Sequence, residues 1–104
     1  MQINVQQLNE MRQNGDDLLL LDVREPNELD ICSIKGSLTI PMTQIPQRFD
    51  ELPRDKTLVI MCHHGGRSMQ VTQWLFQQGF DKAINLEGGI DHWAQLVDTT
   101  MPRY

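Results

Sequence analysis

The segment Leu58-Val59-Ile60-Met61-Cys62-His63-His64-Gly65-Gly66-Arg67-Ser68 joins an apolar run to a stretch with helical spacing, and its reading decides the fold. A thiol stands in a strand-to-helix turn. In such a turn the backbone N–H groups of a tight, Gly-containing loop converge on one anion, and the next helix adds its positive end. Both effects favour thiolate over thiol, and the thiolate is the nucleophile. Cys62 is therefore read as a reactive cysteine rather than inert strand packing, with His63, His64, Gly65, Gly66, Arg67 and Ser68 forming its loop.

Toward the C-terminus, Ser68 is a natural N-cap, and Val71, Trp74, Leu75 and Gln78 line one face of a helix that Gly79 ends. Ala83 to Leu86 reads as a strand and Glu87-Gly88-Gly89 as a tight turn whose glycines allow positive φ and close packing. Ile90, Trp93, Ala94 and Val97 then recur at helical spacing, with Trp74 and Trp93 as core anchors. Toward the N-terminus, Asn4 caps a helix with Gln7 at its third position, and Val5, Leu8 and Met11 mark its buried face until Gly15. Leu18 to Leu21, extended by Asp22 and Val23, has the continuous apolar pattern of a strand buried on both faces. After Pro26 interrupts, Glu28 to Ile31 is expected to form one helical turn. Leu38-Thr39-Ile40 is a short strand, Pro41 and Pro46 break the helical pattern after it, and Gln47 to Leu52 is a short helical piece. Strands alternating with helices imply right-handed βαβ units and a mainly parallel sheet covered by helices on both faces. Ligands of such sheets bind at the carboxyl ends of strands, where Cys62, Asp22 and Glu87 fall.

At 104 residues the chain fits one domain spanning residues 1–104. The net charge is −5 and the nine Lys and Arg residues are scattered, so nucleic acid is not expected as a partner. No run approaches a membrane-spanning length, and Met1-Gln2-Ile3-Asn4 has neither a basic start nor an apolar signal core. A cytoplasmic, membrane-free setting is expected, where Cys32 and Cys62 stay thiols. His63 and His64 beside Cys62 do not make a metal site, since neighbours on one tight loop cannot all face one ion. They are read instead as exposed side chains shaping access, and His92 as a surface residue. Neither a metal nor a cofactor is expected. Cys32 is read as a small filler near the sheet, against the alternatives of a resolving thiol or a disulfide partner for Cys62. Asp22 and Arg24 are explained by an ion pair that braces the neighbouring loop.

Three blocks stand in a telling order: Leu21-Asp22-Val23-Arg24-Glu25-Pro26 with Glu28; Cys62-x-x-Gly65-x-Arg67-Ser68; and Gly79-Phe80 followed by Asn85-Leu86-Glu87-Gly88-Gly89-Ile90 and Trp93. On these the chain resembles the rhodanese (sulfurtransferase) family over nearly its full length. The resemblance implies a five-stranded parallel sheet flanked by helices, with the fifth strand around Gln2 and Ile3. A finer similarity is to the rhodanese-like domains fused to adenylyltransferases, the sulfurylases that load sulfur carriers for molybdopterin synthesis. It rests on Cys32, Ile34 and Gly36, and on the tail from Val97-Asp98 to Pro102-Arg103-Tyr104.

The rhodanese fold also carries phosphatases, whose Cys-to-Arg spacing is one residue longer than the four residues His63, His64, Gly65 and Gly66 that intervene here. The shorter ring suits a single sulfur atom better than a phosphate. The resemblance therefore implies that Cys62 takes sulfane sulfur from a donor such as thiosulfate, expels sulfite, and passes the outer sulfur of its persulfide to cyanide or a thiol. The expected partners are these small molecules or a protein sulfur carrier. A second reading is a persulfide carrier or docking module without turnover. Arg67 is compatible with either binding the donor anion or bracing the loop.

Overall fold

The computed structural model describes all residues from Met1 to Tyr104. Its elements in chain order are β1 (Gln2–Ile3), α1 (Val5–Gln13), β2 (Leu18–Asp22), α2 (Pro26–Leu29), β3 (Leu38–Thr39), α3 (Ile45–Arg48), β4 (Thr57–Met61), α4 (Gly66–Gln77), β5 (Ala83–Leu86) and α5 (Gly89–Leu96). The five strands form one sheet in the order β1-β5-β4-β2-β3, and every pairing is parallel. Strand β4 is central, pairing Leu21 with Ile60 on one side and Ile60 with Asn85 on the other.

Alternation along β4 divides the core. Leu58, Ile60 and Cys62 pack with Val71 and Leu75 of α4 and Ile45 of α3. Val59 and Met61 point the other way, into a cluster with Val5 and Leu8 of α1 and Ile90 and Trp93 of α5. A period of two carries Cys62 onto the α4 face, next to the start of that helix. Each fully buried Leu, Ile or Phe of these clusters contributes about 1.5–3 kcal/mol of transfer free energy, so both helical layers are held by many such side chains. No helix is long and apolar enough to cross a membrane.

Helix α1 agrees with expectation: the Asn4 side chain accepts from Gln7 N–H at 2.8 Å, Gln7 accepts from Asn4 N–H, and Gly15 turns the chain at φ +74°. Several boundaries differ. Helix α2 opens at Pro26 rather than Glu28, because proline's missing N–H costs nothing in a first turn and Glu28 reaches back to accept from Glu25 N–H. For the same reason α3 takes in Pro46 and starts at Ile45; the expected Gln47–Leu52 helix is instead the end of α3 plus a 3₁₀ turn, Phe49–Glu51. Val23 lies past the end of β2, although its N–H still bonds Met61 O. Ser68 is not the cap of α4. The helix begins two residues earlier, and its cap is Gly65 at φ +110°.

Candidate active site

Three strand ends meet at Cys62. The thiol is 1% exposed, at the floor of the turn between β4 and α4. Gly65 N–H donates to its Sγ at 3.1 Å and the Ser68 hydroxyl stands 3.3 Å away, with the N–H dipoles of His64 and Ser68 also favouring charge on the sulfur. The early helix start makes this possible: with Gly65 left-handed, the chain doubles back so that successive N–H groups face inward. A side chain at Gly65 would press on Gly88 N at 3.3 Å as well as strain the backbone. Burial of the sulfur pushes its pKa up, but donation from the Ser68 hydroxyl and from the N–H groups of Ser68, Gly65 and His64 outweighs it. The Cys62 thiol therefore sits below its ordinary value.

The turn between β5 and α5 buttresses this loop from behind. Ile90 N–H bonds Cys62 O at 3.0 Å and Asp91 N–H bonds His63 O at 3.1 Å. A Cβ on Gly89, at φ +59°, would collide with both of those carbonyl oxygens. Backbone bonds of this kind fix the loop before any reactant arrives.

Charged groups form a second ring. Both terminal nitrogens of Arg67 bond Glu28, at 2.7 and 2.8 Å, and Tyr104 O–H donates to the same carboxylate at 2.8 Å. The Arg67 hydrogen bonds hold the Glu28 carboxyl down to about 2, against a smaller upward push from burial. Fully buried Arg24 is clamped by Asp22, the closest approach being 2.7 Å, and donates to Cys32 O at 2.9 Å and Tyr104 Oη at 3.1 Å. The ion pair expected between Asp22 and Arg24 is present, and it ties the segment after β2 to the tail. Asp91 takes Arg103 at 3.1 Å and faces His64 at 3.8 Å.

The profile of the rhodanese-like domain matches residues 4–96. The chain belongs to the rhodanese family. A sulfurtransferase of Allochromatium vinosum is 39% identical over 94 residues, which are 90% of this chain and 88% of that protein. The probable adenylyltransferase/sulfurtransferase MoeZ of Mycobacterium tuberculosis is 36% identical over 98% of this chain, but the match spans only 26% of MoeZ. The crystal structure of a rhodanese-related protein from Thermoplasma volcanium superposes with a TM-score of 0.83 at 36% identity, covering 90% of each chain. The likeness to adenylyltransferase-linked domains, read from Cys32 and the tail, is met by MoeZ.

Against that rhodanese frame, Gly65, Gly66 and Ser68 surround Cys62 as the sequence implies, but Ser68 is buried inside the first turn of α4 rather than at its cap. Arg67 braces the loop through Glu28 and makes no hydrogen bond to Sγ. His64 is exposed as expected. His63 is not: it is half-buried, sandwiched between Tyr104 at 3.8 Å and His64 at 3.9 Å, with Nε2 buried and unbonded. Burial, with help from neighbouring His64, pushes its pKa down. Stacking on an aromatic ring 41 positions away in sequence could not be foreseen from a loop pattern. Both cysteines are free, and Cys32 packs with the α1/α5 cluster while Cys62 lies in the other, which agrees with Cys32 as a filler and disagrees with a disulfide to Cys62.

Sequence reasoning left two functional groups without a role. Asn85 is buried beside Ile60 in register, accepts from Ser68 Oγ at 2.5 Å and donates to Gly65 O at 3.3 Å, so it positions both ends of the sulfur cradle. The available signal was an amide inside an apolar strand, which requires partners. Tyr104 gives no such signal; only the fold brings it to Glu28, Arg24 and His63.

Proposed function

We propose that this chain is a sulfurtransferase that works as one unit through a Cys62 persulfide. The carrying observation is the Cys62 sulfur, 1% exposed yet held by converging N–H and O–H donors that lower its pKa. Membership of the rhodanese family and likeness to proteins named sulfurtransferase support the reading. In the first half-reaction the thiolate attacks the outer sulfur of a donor such as thiosulfate; a new S–S bond forms at Sγ, the donor's S–S bond breaks, and sulfite leaves with the electron pair. The persulfide's terminal sulfur carries the charge, and the N–H groups of Gly65, His64 and Ser68, already aimed inward, hold it without rearrangement. An acceptor thiolate or cyanide then attacks that outer sulfur and returns Cys62 as thiolate. The acceptor class includes a thiol on a protein sulfur carrier, a role supported by the sulfurtransferase likeness to MoeZ.

Thiocyanate formation from thiosulfate and cyanide, measured for wild type and Cys62→Ser, tests the reading. Turnover in the wild type that the substitution abolishes is the expected outcome. Equal rates refute it, and a stable persulfide mass with a single turnover would make the chain a carrier rather than an enzyme.

A further inference from the structure

The carboxyl end of the sheet is the end at which a sulfur donor must approach Cys62, and its fixed cations are all spoken for. Arg24 is paired with Asp22, Arg67 with Glu28, and Arg103 with Asp91. The other basic side chains serve elsewhere: Lys35, Lys56 and Lys82 precede β3, β4 and β5 at the amino end, Arg48 at the end of α3 is paired with Glu51, and Arg54 bonds Gln78 O just before β5. Arg12 is likewise held at the far end of α1, on Lys35 O. The remaining nearby basic side chains are His63 under Tyr104, and exposed His64 and His92.

Arg67 is the guanidinium that could have served a donor. Its side chain is 36% exposed, and it lies on the first turn of the helix that cradles the sulfur. Yet both of its terminal nitrogens are committed to a carboxylate that is itself only 13% exposed. Glu28 cannot drift away, since Glu25 N–H and Tyr104 O–H hold it from two further directions. A planar two-point pair of this kind presents close to zero net charge to an approaching ion. Thiosulfate, a dianion, therefore meets dipoles but no unpaired fixed cation, on a chain whose own net charge is −5.

We infer that Glu28 is a specificity-determining residue: by neutralising Arg67 it sets the site against dianionic sulfur donors and in favour of singly charged or neutral ones. The inference rests on the sulfur-transfer reading and names the charge class of its donor. The chemistry is unaltered by donor charge. A thiosulfonate monoanion gives its outer sulfur to the Cys62 thiolate with a sulfinate leaving, just as thiosulfate does with sulfite leaving; charge and electrons balance in both.

Two measurements at about pH 8, where unperturbed imidazoles are neutral, test it. The first needs no turnover: sulfate, an unreactive dianion, is titrated as a protectant of Cys62 against iodoacetamide. Glu28→Gln keeps the shape of the side chain and removes its charge, so half-protection should fall to about one-fifth to one-tenth of the wild-type sulfate concentration at low salt, and the gain should fade as salt rises. The double variant Glu28→Gln/Arg67→Gln replaces a neutral pair by a neutral pair and should match the wild type within about twofold; it keeps the test decisive if the single variant does not fold. Tyr104→Phe removes a hydrogen bond to Glu28 without changing charge and should not shift protection. The inference is overturned if Glu28→Gln leaves protection unchanged, if the double variant binds sulfate much more weakly than wild type, or if Tyr104→Phe reproduces the Glu28→Gln effect. The second measurement compares KM for thiosulfate and for methanethiosulfonate. The wild type should show the higher KM with thiosulfate, and Glu28→Gln should narrow the gap through KM with kcat little changed; an unchanged gap counts against the inference. If neither donor is turned over, the sulfur-transfer reading fails while the sulfate titration still decides the charge inference.

Discussion

Ser68 has one hydroxyl proton and two neighbours to receive it, Cys62 Sγ at 3.3 Å and Asn85 Oδ1 at 2.5 Å. With Cys62 as a thiol, the S–H can donate to Ser68 Oγ while Ser68 donates to Asn85; with a thiolate, the hydroxyl turns to sulfur and Asn85 loses its donor. Asn85 as acceptor thus favours the thiol, and Ser68 as donor favours the thiolate. Ser68→Ala should raise the Cys62 pKa by about one unit, the worth of one charge-assisted hydrogen bond. Asn85→Ala should lower it, whereas a purely scaffolding amide would give a rise. Alkylation rate against pH, tracked on the Cys62 peptide, reads both. Glu28 offers a different check. Its folded pKa of about 2 lies below the ordinary 4.5, so its contribution to stability is complete above about pH 4.5 and is lost as pH falls toward 2. Unfolding midpoints of Glu28→Gln should lack that part of the acid slope, and an unchanged slope would place the acid sensitivity elsewhere. At this scale the sequence was legible where the chemistry is local: Cys62 and its loop are read from residues in one turn. Asn85 and Glu28 act on the loop from 17 to 39 positions away, and nothing in a local pattern assigns the partner of a side chain.

Elements were legible by period, and their junctions were not. Alternation along β2 and β4, the capping residues of α1 and the apolar spacing of α4 and α5 each report one local geometry, and the structure has them. The start of α4 departs from a serine cap because the chain turns at Gly65 in the left-handed region, φ +110°, where glycine is unstrained and an added Cβ would also crowd Gly88 N at 3.3 Å. That junction is where β4–α4 and β5–α5 lock together, so it should be intolerant of a single methyl group. Gly89→Ala must displace the carbonyls of Cys62 and His63 at a left-handed φ, and is expected to cost on the order of 1–3 kcal/mol in backbone strain alone. Because the displaced carbonyls belong to the Cys62 loop, the Cys62 pKa should rise in the same variant. Gly15→Ala supplies the contrast: it also has positive φ, but its Cβ meets nothing within 4 Å, so it should lose stability without moving Cys62. Urea unfolding beside thiol titration separates the two, and a Gly89→Ala protein with an unshifted Cys62 would contradict the buttress.

Across the whole molecule the tail returns to the carboxyl end of the sheet, beside the Cys62 loop. Arg103 reaches Asp91 on α5, and the Tyr104 ring lies flat on His63 at an interplanar angle of 7° with its hydroxyl between Glu28 and Arg24. Tail, β2 loop and Cys62 loop are thereby one assembly, joined by contacts 39 to 80 positions apart that the chain order does not disclose. Covering His63 has an energetic consequence. Burial disfavours the imidazolium, and His64 adds repulsion, so the folded pKa of His63 lies below its ordinary 6.5. A group held neutral in this way contributes stability that is complete above about pH 6.5 and declines as pH falls through the folded pKa, because the unfolded chain takes up the proton first. Tyr104→Ala uncovers the ring and should return His63 toward its ordinary titration, flattening the loss of stability below about pH 6.5 even though total stability drops. His63→Gln should flatten the same window, and the slope it leaves measures the share of the other groups. Urea midpoints at several pH values, with the His63 imidazole monitored by NMR, check both variants. If Tyr104→Ala keeps the wild-type slope while His63→Gln loses it, then the loop alone, and not the tail, holds His63 neutral.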